Sequence, residues 1–282
     1  MKCRYARMAI FHADQVDWVV KDQSREDYIR ATLAKNAEFR HGKTTLYYSP
    51  RLITEQLIAG VIERRATRTV KSGPWENEKS QVETYNTANF AIKLSEGQEA
   101  ALEQAAGVYK GKAVLVFRSL GEHFNAQPHN WHIDFRQIGS EGNLEEYLSR
   151  HSGAIKKISL IFERPNADFG AHRALHDDLK ESLSRIRASR LKKDYVSDEA
   201  QLMPDDRVRN EMNYANSGNG DLKISNKDDS GNATSFRSKQ SEHSAQVEDN
   251  RKVDEMEKDD EIRDVATNML GGVEAAYREP KD

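Results

Sequence analysis

The sequence predicts an α+β protein in which a mixed antiparallel sheet with several helices is followed by a small hairpin-plus-helix C-terminal region. Strand-like and helix-like segments do not alternate regularly along the chain, which argues against a doubly wound parallel sheet. Hydrophobic residues make up 37% and charged residues 32% of the 282 residues, and no stretch approaches the roughly 18–20 consecutive apolar residues of a membrane-spanning helix. The single cysteine, Cys3, excludes an internal disulfide framework and a cysteine-rich zinc site. We therefore expect a soluble, cytoplasmic protein that does not itself span a membrane.

The N-terminal part is predicted to combine two strands with one helix. Residues 3–11 have the apolar bulk of a strand, and residues 44–48 are β-branched and aromatic, which also favours a strand. Between them, Ser24 and Asp27 have the spacing of a helix capping box, in which the serine oxygen accepts a backbone N–H. Near-helical apolar spacing after this box predicts a helix that extends to Phe39.

The next segments are predicted from alternation and composition. Residues 57–94 alternate polar and apolar side chains around a turn at residues 72–74, which predicts a long hairpin, although residues 51–62 alone would also fit a helix. The stretch 96–108 is rich in Ala and Glu and predicts a helix. The stretch 112–118 is β-branched and predicts a buried strand.

The second half is predicted to continue with strands at 131–138 and 155–163 and a short helix at 143–151. Apolar residues every three or four positions predict a long amphipathic helix over 171–191. After a segment rich in Asn, Gly, Ser and Asp, two short strands are predicted at 221–225 and 233–237. A charged helix is expected from Val247 onward.

The net charge of −3 hides a division along the chain. Residues 1–193 contain 31 Lys and Arg against 24 Asp and Glu, whereas residues 194–282 contain 12 against 22. We therefore predict a basic α+β body at 1–193 and an acidic C-terminal region at 194–282. Such asymmetry is typical of nucleic-acid contact or of an acidic tail.

Clusters of cations are the candidate binding residues. Guanidinium and ammonium groups pair with phosphate oxygens, and neutralising several phosphates releases counterions. Cations near a helix C-terminus also favour the helix dipole, which is the structural alternative for the last cluster. No zinc finger, RNP sequence or clear helix-turn-helix accompanies the clusters, so sequence-independent backbone contact to DNA is expected rather than base readout. The predicted nucleic-acid-binding residues are Arg64, Arg65, Arg68, Lys71, Lys156, Lys157, Arg185, Arg187, Arg190, Lys192 and Lys193.

Patterns that would indicate an enzyme are incomplete. His172 and His176 are four residues apart, but no third ligand or glutamate base accompanies them, so no metal site is predicted. A metal-dependent nuclease that uses acids such as Glu76, Glu78 or Asp134 is the alternative function. The sequence indicates no catalytic residue and no cofactor, which leaves enzymatic activity uncertain but disfavoured.

The charged C-terminal helix needs a surface for its apolar side. That side either packs within the chain or forms the contact of a homodimer, and we expect the homodimer. A third function is also open, in which the chain is a protein-interaction module with an acidic regulatory tail. The apolar residues concerned are Val253, Met256, Ile262, Val265 and Met269.

The C-terminal segment resembles a known family. A hairpin with Lys227, Asp228 and Gly231, followed by Ser238 and a charged helix, is similar to the closing segment of the RexA family of phage-exclusion sensors and related phage and prophage defence proteins. The resemblance implies a dimeric, sequence-independent DNA-binding protein without enzymatic activity. It also implies a membrane-protein partner in trans, and a role as a sensor or effector in phage exclusion or prophage defence.

Overall fold

The computed structural model describes residues 1–12, 25–71, 79–95, 98–127, 131–139, 141–163, 173–185, 188, 190–198, 202–227, 233–240 and 243–278. Within these residues the chain forms strands in two antiparallel sheets, together with helices, so the predicted α+β fold is confirmed. The strands are β1 (Lys2–His12), β2 (Ala37–His41), β3 (Thr44–Ile53), β4 (Leu57–Lys71), β5 (Lys79–Lys93), β6 (Glu99–Glu103), β7 (Trp131–Gln137), β8 (Ile155–Glu163), β9 (Arg190–Val196), β10 (Gly220–Lys227), β11 (Ala233–Arg237) and β12 (Ser244–Gln246). The helices are α1 (Arg25–Leu33), α2 (Ala113–Asn125), α3 (Glu141–Arg150), α4 (Arg173–Arg185), α5 (Asp206–Tyr214) and α6 (Asp259–Arg278).

The first sheet has the strand order β12-β1-β6-β5-β4-β3-β2, and β7 also pairs with β1. The predicted long hairpin is confirmed as β4 and β5, which pair continuously from Leu57 opposite Lys93 to Lys71 opposite Lys79. Helices α1 and α2 cover one side of this sheet, where Tyr48 stacks on Phe90 in the core. The predicted first strand is likewise confirmed, whereas Phe39, expected on a helix, lies in β2.

Strand β6 corrects the helix predicted over 96–108. Its residues Ala100 and Ala101 are both fully buried, and they belong to the cores on opposite sides of the sheet. A short segment held between β1 and β5 has its backbone bonded on both edges, and this tertiary pairing overrides the helix propensity of alanine.

Helix α2 corrects the strand predicted over 112–118. The deciding pattern extends beyond that stretch, because Ala113, Phe117, Leu120 and Phe124 recur at helical spacing and are all buried. Phe117 stacks on Phe135 of β7 with ring centroids 5.0 Å apart. The continuous apolar stripe, rather than the β-branched residues at its start, therefore decides the helix.

The second sheet has the order β11-β10-β8-β9 and is covered on one side by α3, α4 and α5. Ile158, Leu160 and Phe162 of β8 point into that core with Leu222 and Ile224 of β10. The strands predicted at 155–163, 221–225 and 233–237 and the helix at 143–151 are confirmed within the described residues. The opposite side of this sheet carries no helix among the described residues, and we call it the open face.

The long helix predicted over 171–191 is wrong at its C-terminal end. Helix α4 ends at Arg185, and the strand β9 begins at Arg190 and pairs along β8. From Arg190 onward the burial alternates between exposed and half-buried, which is the period of a strand.

Helix α6 lies on the side of the first sheet opposite to α1 and α2. Val265, Ala266 and Met269 are buried against Cys3, Val61 and other residues of that sheet. Within the described residues, the apolar side of α6 is therefore covered by the chain itself. The homodimer remains a prediction, and the described residues do not indicate which surface would form its contact.

The two sheets meet at a buried π-helical turn, Ala215–Asn219. The Nε of Arg7, on β1, donates a hydrogen bond of 2.6 Å to the carbonyl oxygen of Ser217. The predicted domain boundary at 193/194 falls inside β9, and β10 and β11 beyond it complete the sheet that β8 begins. The two halves of opposite charge therefore do not correspond to the two sheets.

Candidate nucleic-acid interface

The register of the second sheet arranges the side chains of the open face in rows. One row runs from Arg237 through Lys223 and Ser159 to Asp194. A second contains Ser235, Ser225, Lys157 and Val196, and a third contains Asp221, Ile161 and Lys192. Because side chains alternate across a strand, these residues share one side while their neighbours fill the core.

A shallow concavity of about 330 Å³ lies at the centre of the open face. Three ammonium groups and two hydroxyl groups contribute to its lining, which consists of Lys157, Ser159, Ile161, Lys192, Asp221, Lys223 and Ser225. Ammonium groups only donate hydrogen bonds, and hydroxyl groups can donate as well as accept. The concavity is therefore richer in donors than in acceptors, which suits an anionic ligand.

Asp194 partly neutralises this face. Its Oδ2 lies 2.9 Å from the Nζ of Lys192 and 3.1 Å from the Nζ of Lys157. Hydrogen bonds from Lys192, from the Ser159 hydroxyl and from Lys157 hold the pKa of Asp194 well below its usual range. The carboxylate is therefore ionised at neutral pH, and it holds the two lysines side by side.

The β10–β11 side of the open face carries cations with less compensation. Lys223 lies directly opposite Arg237, both are exposed, and neither pairs with a carboxylate among the described residues. Lys239, in the turn after β11, makes an ion pair with Asp221. Like charges directly opposite each other destabilise a ladder, so this pair has an electrostatic cost in the free protein.

The structure separates the cations predicted to close the long helix. Arg190 and Lys192 are exposed on the open face. Lys193 points to the other side, where its Nζ lies 2.7 Å from the buried Glu211 carboxylate and 5.6 Å from the Phe162 ring centroid. Arg185, at the end of α4, pairs with Glu181 on its own helix. Arg187 lies outside the described residues.

Lys193 belongs to a separate cleft of about 980 Å³ between α4, β9 and α5. Glu211 is at its floor and also accepts a hydrogen bond of 2.8 Å from the hydroxyl of Tyr195. Burial, followed by the contact with Glu211, raises the pKa of Tyr195 to about 12. The cations of this cleft are compensated by carboxylates, so it lacks the positive excess of the open face.

The remaining predicted residues occupy two other places. Lys156 is half-buried at an irregularity in the β8–β10 pairing. It directly precedes Lys157, which lies on the open face. Arg64, Arg65 and Arg68 lie on the distal part of the β4–β5 hairpin. Lys71 ends β4 there, and its side chain lies outside the described residues. The structure thus brings together Lys157, Arg190 and Lys192 but not the whole predicted set.

Three cations of the open face are not among the binding residues predicted from the sequence: Lys223, Arg237 and Lys239. They belong to the region of net negative charge, and the summed charge concealed them. The signal was present in the strand alternation, because Lys223 is flanked by Leu222 and Ile224 and Arg237 follows Phe236. Ser238, part of the hairpin signature, has a structural role, since its hydroxyl accepts the backbone N–H of Leu222 at 3.1 Å.

The candidate nuclease acids are not assembled into a described site. Glu76 and Glu78 lie outside the described residues, as does His172, and the side chain of His176 is also undescribed. Asp134 lies on β7 and pairs with Arg136 at 3.3 Å. Within the described part of the chain, no group of three or more His, Cys, Asp or Glu side chains is placed to hold a metal ion, and no helix is both long and apolar enough to cross a membrane.

Fold and site together define an α+β protein of two antiparallel sheets, the smaller of which exposes a face rich in cations. The family model of the domain of unknown function DUF4747 matches residues 101–267, which is more than half of the chain. The protein belongs to this family. The matched residues include all four strands of the second sheet, whereas β4 and β5 precede them. A comparison of the sequence with curated proteins gave no match.

Proposed function

We propose that this protein binds nucleic acid through the sugar–phosphate backbone at the open face of the second sheet. The observation that carries the proposal is the convergence of Lys157, Lys192 and Lys223 on one concavity together with the hydroxyls of Ser159 and Ser225. Lysine, arginine and serine side chains are common donors to phosphate oxygens in protein–DNA contacts.

The composition of the open face supports backbone contact rather than base readout. Its central residues are short hydroxyls and flexible lysines, and no aromatic side chain that could stack on a base lies in the three rows. A lysine ammonium acts as a point charge rather than as a bidentate reader. Affinity is therefore expected to depend on salt and little on sequence.

A salt titration of the full chain tests the proposal. Fluorescence anisotropy with duplex and single-stranded oligonucleotides between about 50 and 200 mM salt should give a linear fall of log K with log salt, with a slope of about −0.9 per phosphate neutralised on duplex DNA. In the double variant Lys192→Gln/Lys223→Gln, the slope should decrease in magnitude by roughly two, similarly for unrelated sequences.

A matched control uses two exposed lysines away from the open face, Lys180 of α4 and Lys258 just before α6. The variant Lys180→Gln/Lys258→Gln has the same net charge as the open-face variant and should bind as the wild type does. Absence of binding at about 50 mM salt, or equal losses in both variants, would contradict the proposal. Saturable binding of inorganic phosphate without binding of any oligonucleotide would contradict it as well.

The resemblance of the β10–β11 segment supports a biological role, which we also propose: a sensor or effector in phage exclusion or prophage defence, acting as a homodimer and with a membrane-protein partner. Phage plating on cells that express the wild type or Lys192→Gln/Lys223→Gln tests it. Exclusion should be present with the wild type and lost with the variant. Equal plating on wild-type and empty cells would count against this role while leaving the binding proposal to the titration.

A further inference from the structure

The distal part of the β4–β5 hairpin forms a two-stranded arm. Strand β3 pairs with β4 only as far as Glu63, and β6 pairs with β5 only at Phe90–Ile92. Residues 64–71 and 79–86 therefore have only each other as strand partners within the described residues, over eight consecutive pairs, while the Asn86 side chain at the base of the arm donates to the carbonyl oxygen of Gly107. At about 3.3 Å per residue this arm is roughly 26 Å long. Isolated two-stranded ribbons are marginally stable in water, so a ligand that orders the arm would stabilise it.

The two sides of the arm differ in how their charges are compensated. On one side Arg65 makes an ion pair with Glu83, and Tyr85 packs edge-on against Tyr47 with ring centroids 6.0 Å apart. These contacts are internal, and they neutralise the charge of Arg65 within the chain.

The other side, which we call the Arg64 side, carries Arg64 and Arg68 opposite Asn86 and Val82. Neither arginine pairs with a carboxylate among the described residues. Val82 is 48% exposed, so this side offers an apolar surface next to a guanidinium group. Arg64 and Arg68 are four residues apart, or about 13 Å along the strand.

We propose that the arm lies in the major groove of B-form duplex DNA, with its Arg64 side toward the DNA. The major groove is about 12 Å wide and admits a two-stranded ribbon. Arginine side chains on a ribbon in this groove can reach the phosphate oxygens that line it. Val82 can contact a thymine methyl group, which only the major groove exposes. This inference rests on the proposed binding of nucleic acid, and it identifies duplex DNA as the class of nucleic acid that the arm binds.

Duplex RNA serves as the discriminating ligand. A-form RNA has a deep, narrow major groove that side chains cannot read. The open face contacts phosphates and should bind both duplexes, whereas the arm should contribute only on DNA. The two surfaces can therefore be distinguished with the same protein and two oligonucleotides of equal length and sequence.

The experiment measures the affinity of the full chain for a 24-base-pair DNA duplex and its RNA counterpart (about two turns of duplex, to span the arm). Arg64→Gln/Arg68→Gln should weaken DNA binding at least about tenfold, since hydrogen bonds to charged groups contribute more than neutral ones, and should leave RNA binding unchanged. Arg64→Lys/Arg68→Lys should restore most of the affinity. Arg65→Gln, on the compensated side of the same arm, is the matched control and should behave as the wild type.

Chemical protection gives an independent readout. Guanine N7 faces the major groove, so the wild type should protect it from methylation by dimethyl sulfate, and Arg64→Gln/Arg68→Gln should lose this protection. Equal losses on RNA and DNA, or unchanged DNA affinity in the double variant, would overturn the inference. A change of oligomeric mass without a change of affinity would assign the arm to a second copy of the chain instead. If the wild type binds neither duplex, the proposed binding of nucleic acid is contradicted together with this inference.

Discussion

Lys223 lies directly opposite Arg237 in the β10–β11 ladder, and the two exposed cations have no carboxylate partner among the described residues. A row of a sheet that serves only stability would place an acid or a neutral residue at one of these positions, because opposite charges across strands stabilise and like charges destabilise. The pair therefore has an energetic cost in the free protein, which the proposed binding of an anion between the two cations would offset.

The first prediction follows because the repulsion between Lys223 and Arg237 lowers stability, whereas the same two charges favour the proposed binding of an anion. Lys223→Gln removes the repulsion, which we expect to raise the midpoint of thermal unfolding by roughly 1–3 °C at low salt, from a cross-strand term of about 0.2–1 kcal/mol. The same variant should bind nucleic acid more weakly than the wild type. Calorimetry at low salt and at about 1 M salt checks the cause, because the gain should disappear where the screening length falls to about 3 Å. A lower midpoint at low salt would contradict the prediction.

The second prediction concerns Asp194, which occupies two of the lysines on the open face. Asp194→Asn should release Lys157 and Lys192 for phosphate and remove a repulsive charge. Because the removed charge repels phosphate, affinity should rise by roughly severalfold at neutral pH and low salt. The salt titration that measures binding also measures this gain. Weaker binding by Asp194→Asn would show that the carboxylate instead orders the lysines for the ligand.

The third prediction is the effect of acid on the same residue. The pKa of Asp194 is lowered in the folded protein by Lys192, Ser159 and Lys157. Its stabilising contribution is therefore present above the unfolded value, about 3.9, and is lost as the pH falls through the lower folded value. The unfolding midpoint of the wild type should drop more steeply below about pH 4 than that of Asp194→Asn. Parallel acid curves for the two proteins would contradict it.

The sequence predicted the elements whose pattern is complete within a short window. The alternation along β4 and β5, the apolar strand β8 and the hairpin strands β10 and β11 each display their period locally. The segments that were predicted incorrectly depend on contacts with distant parts of the chain. Ala100 and Ala101 are in a strand because β1 and β5 bond both edges of β6, and nothing in the Ala- and Glu-rich segment itself indicates those neighbours.

The candidate site could be predicted only in part for the same reason. Lys157 and Lys192 were recognised as cations from the sequence, but their meeting at Asp194 depends on the β8–β9 register. Lys193 is one position further along β9 than Lys192. Because side chains alternate across a strand, Lys193 lies on the core side of the sheet, where it pairs with Glu211. Summed charge along the chain concealed Lys223 and Arg237, whereas the sheet places them beside the cations of the basic part.

The fourth prediction tests the buried cluster behind the open face. The hydroxyl of Tyr195 donates to Glu211 at 2.8 Å, and the pKa of Tyr195 is raised to about 12, first by burial and then by this carboxylate. Glu211→Gln removes the charge but keeps an acceptor, so Tyr195 should ionise at lower pH in the variant. Ultraviolet titration of the tyrosines, compared with a Tyr195→Phe protein, identifies the transition. Because the raised pKa favours the protonated folded form, stability should fall as the pH rises from about 10 toward 12.

The final prediction concerns the side of the first sheet that α6 covers. Met269 is fully buried there with Val265 and Cys3, so Met269→Ala should lower the free energy of unfolding by about 2–5 kcal/mol. Thr267→Ala, at an exposed position of the same helix, is the control and should change it by less than about 0.5 kcal/mol. Since the contact lies within one chain, the loss should not depend on protein concentration, whereas a contact between two copies would make the unfolding midpoint rise with concentration. Thermal unfolding at two concentrations, together with a mass measurement, distinguishes the two arrangements, and a concentration-dependent loss would mean that α6 packs against a second copy.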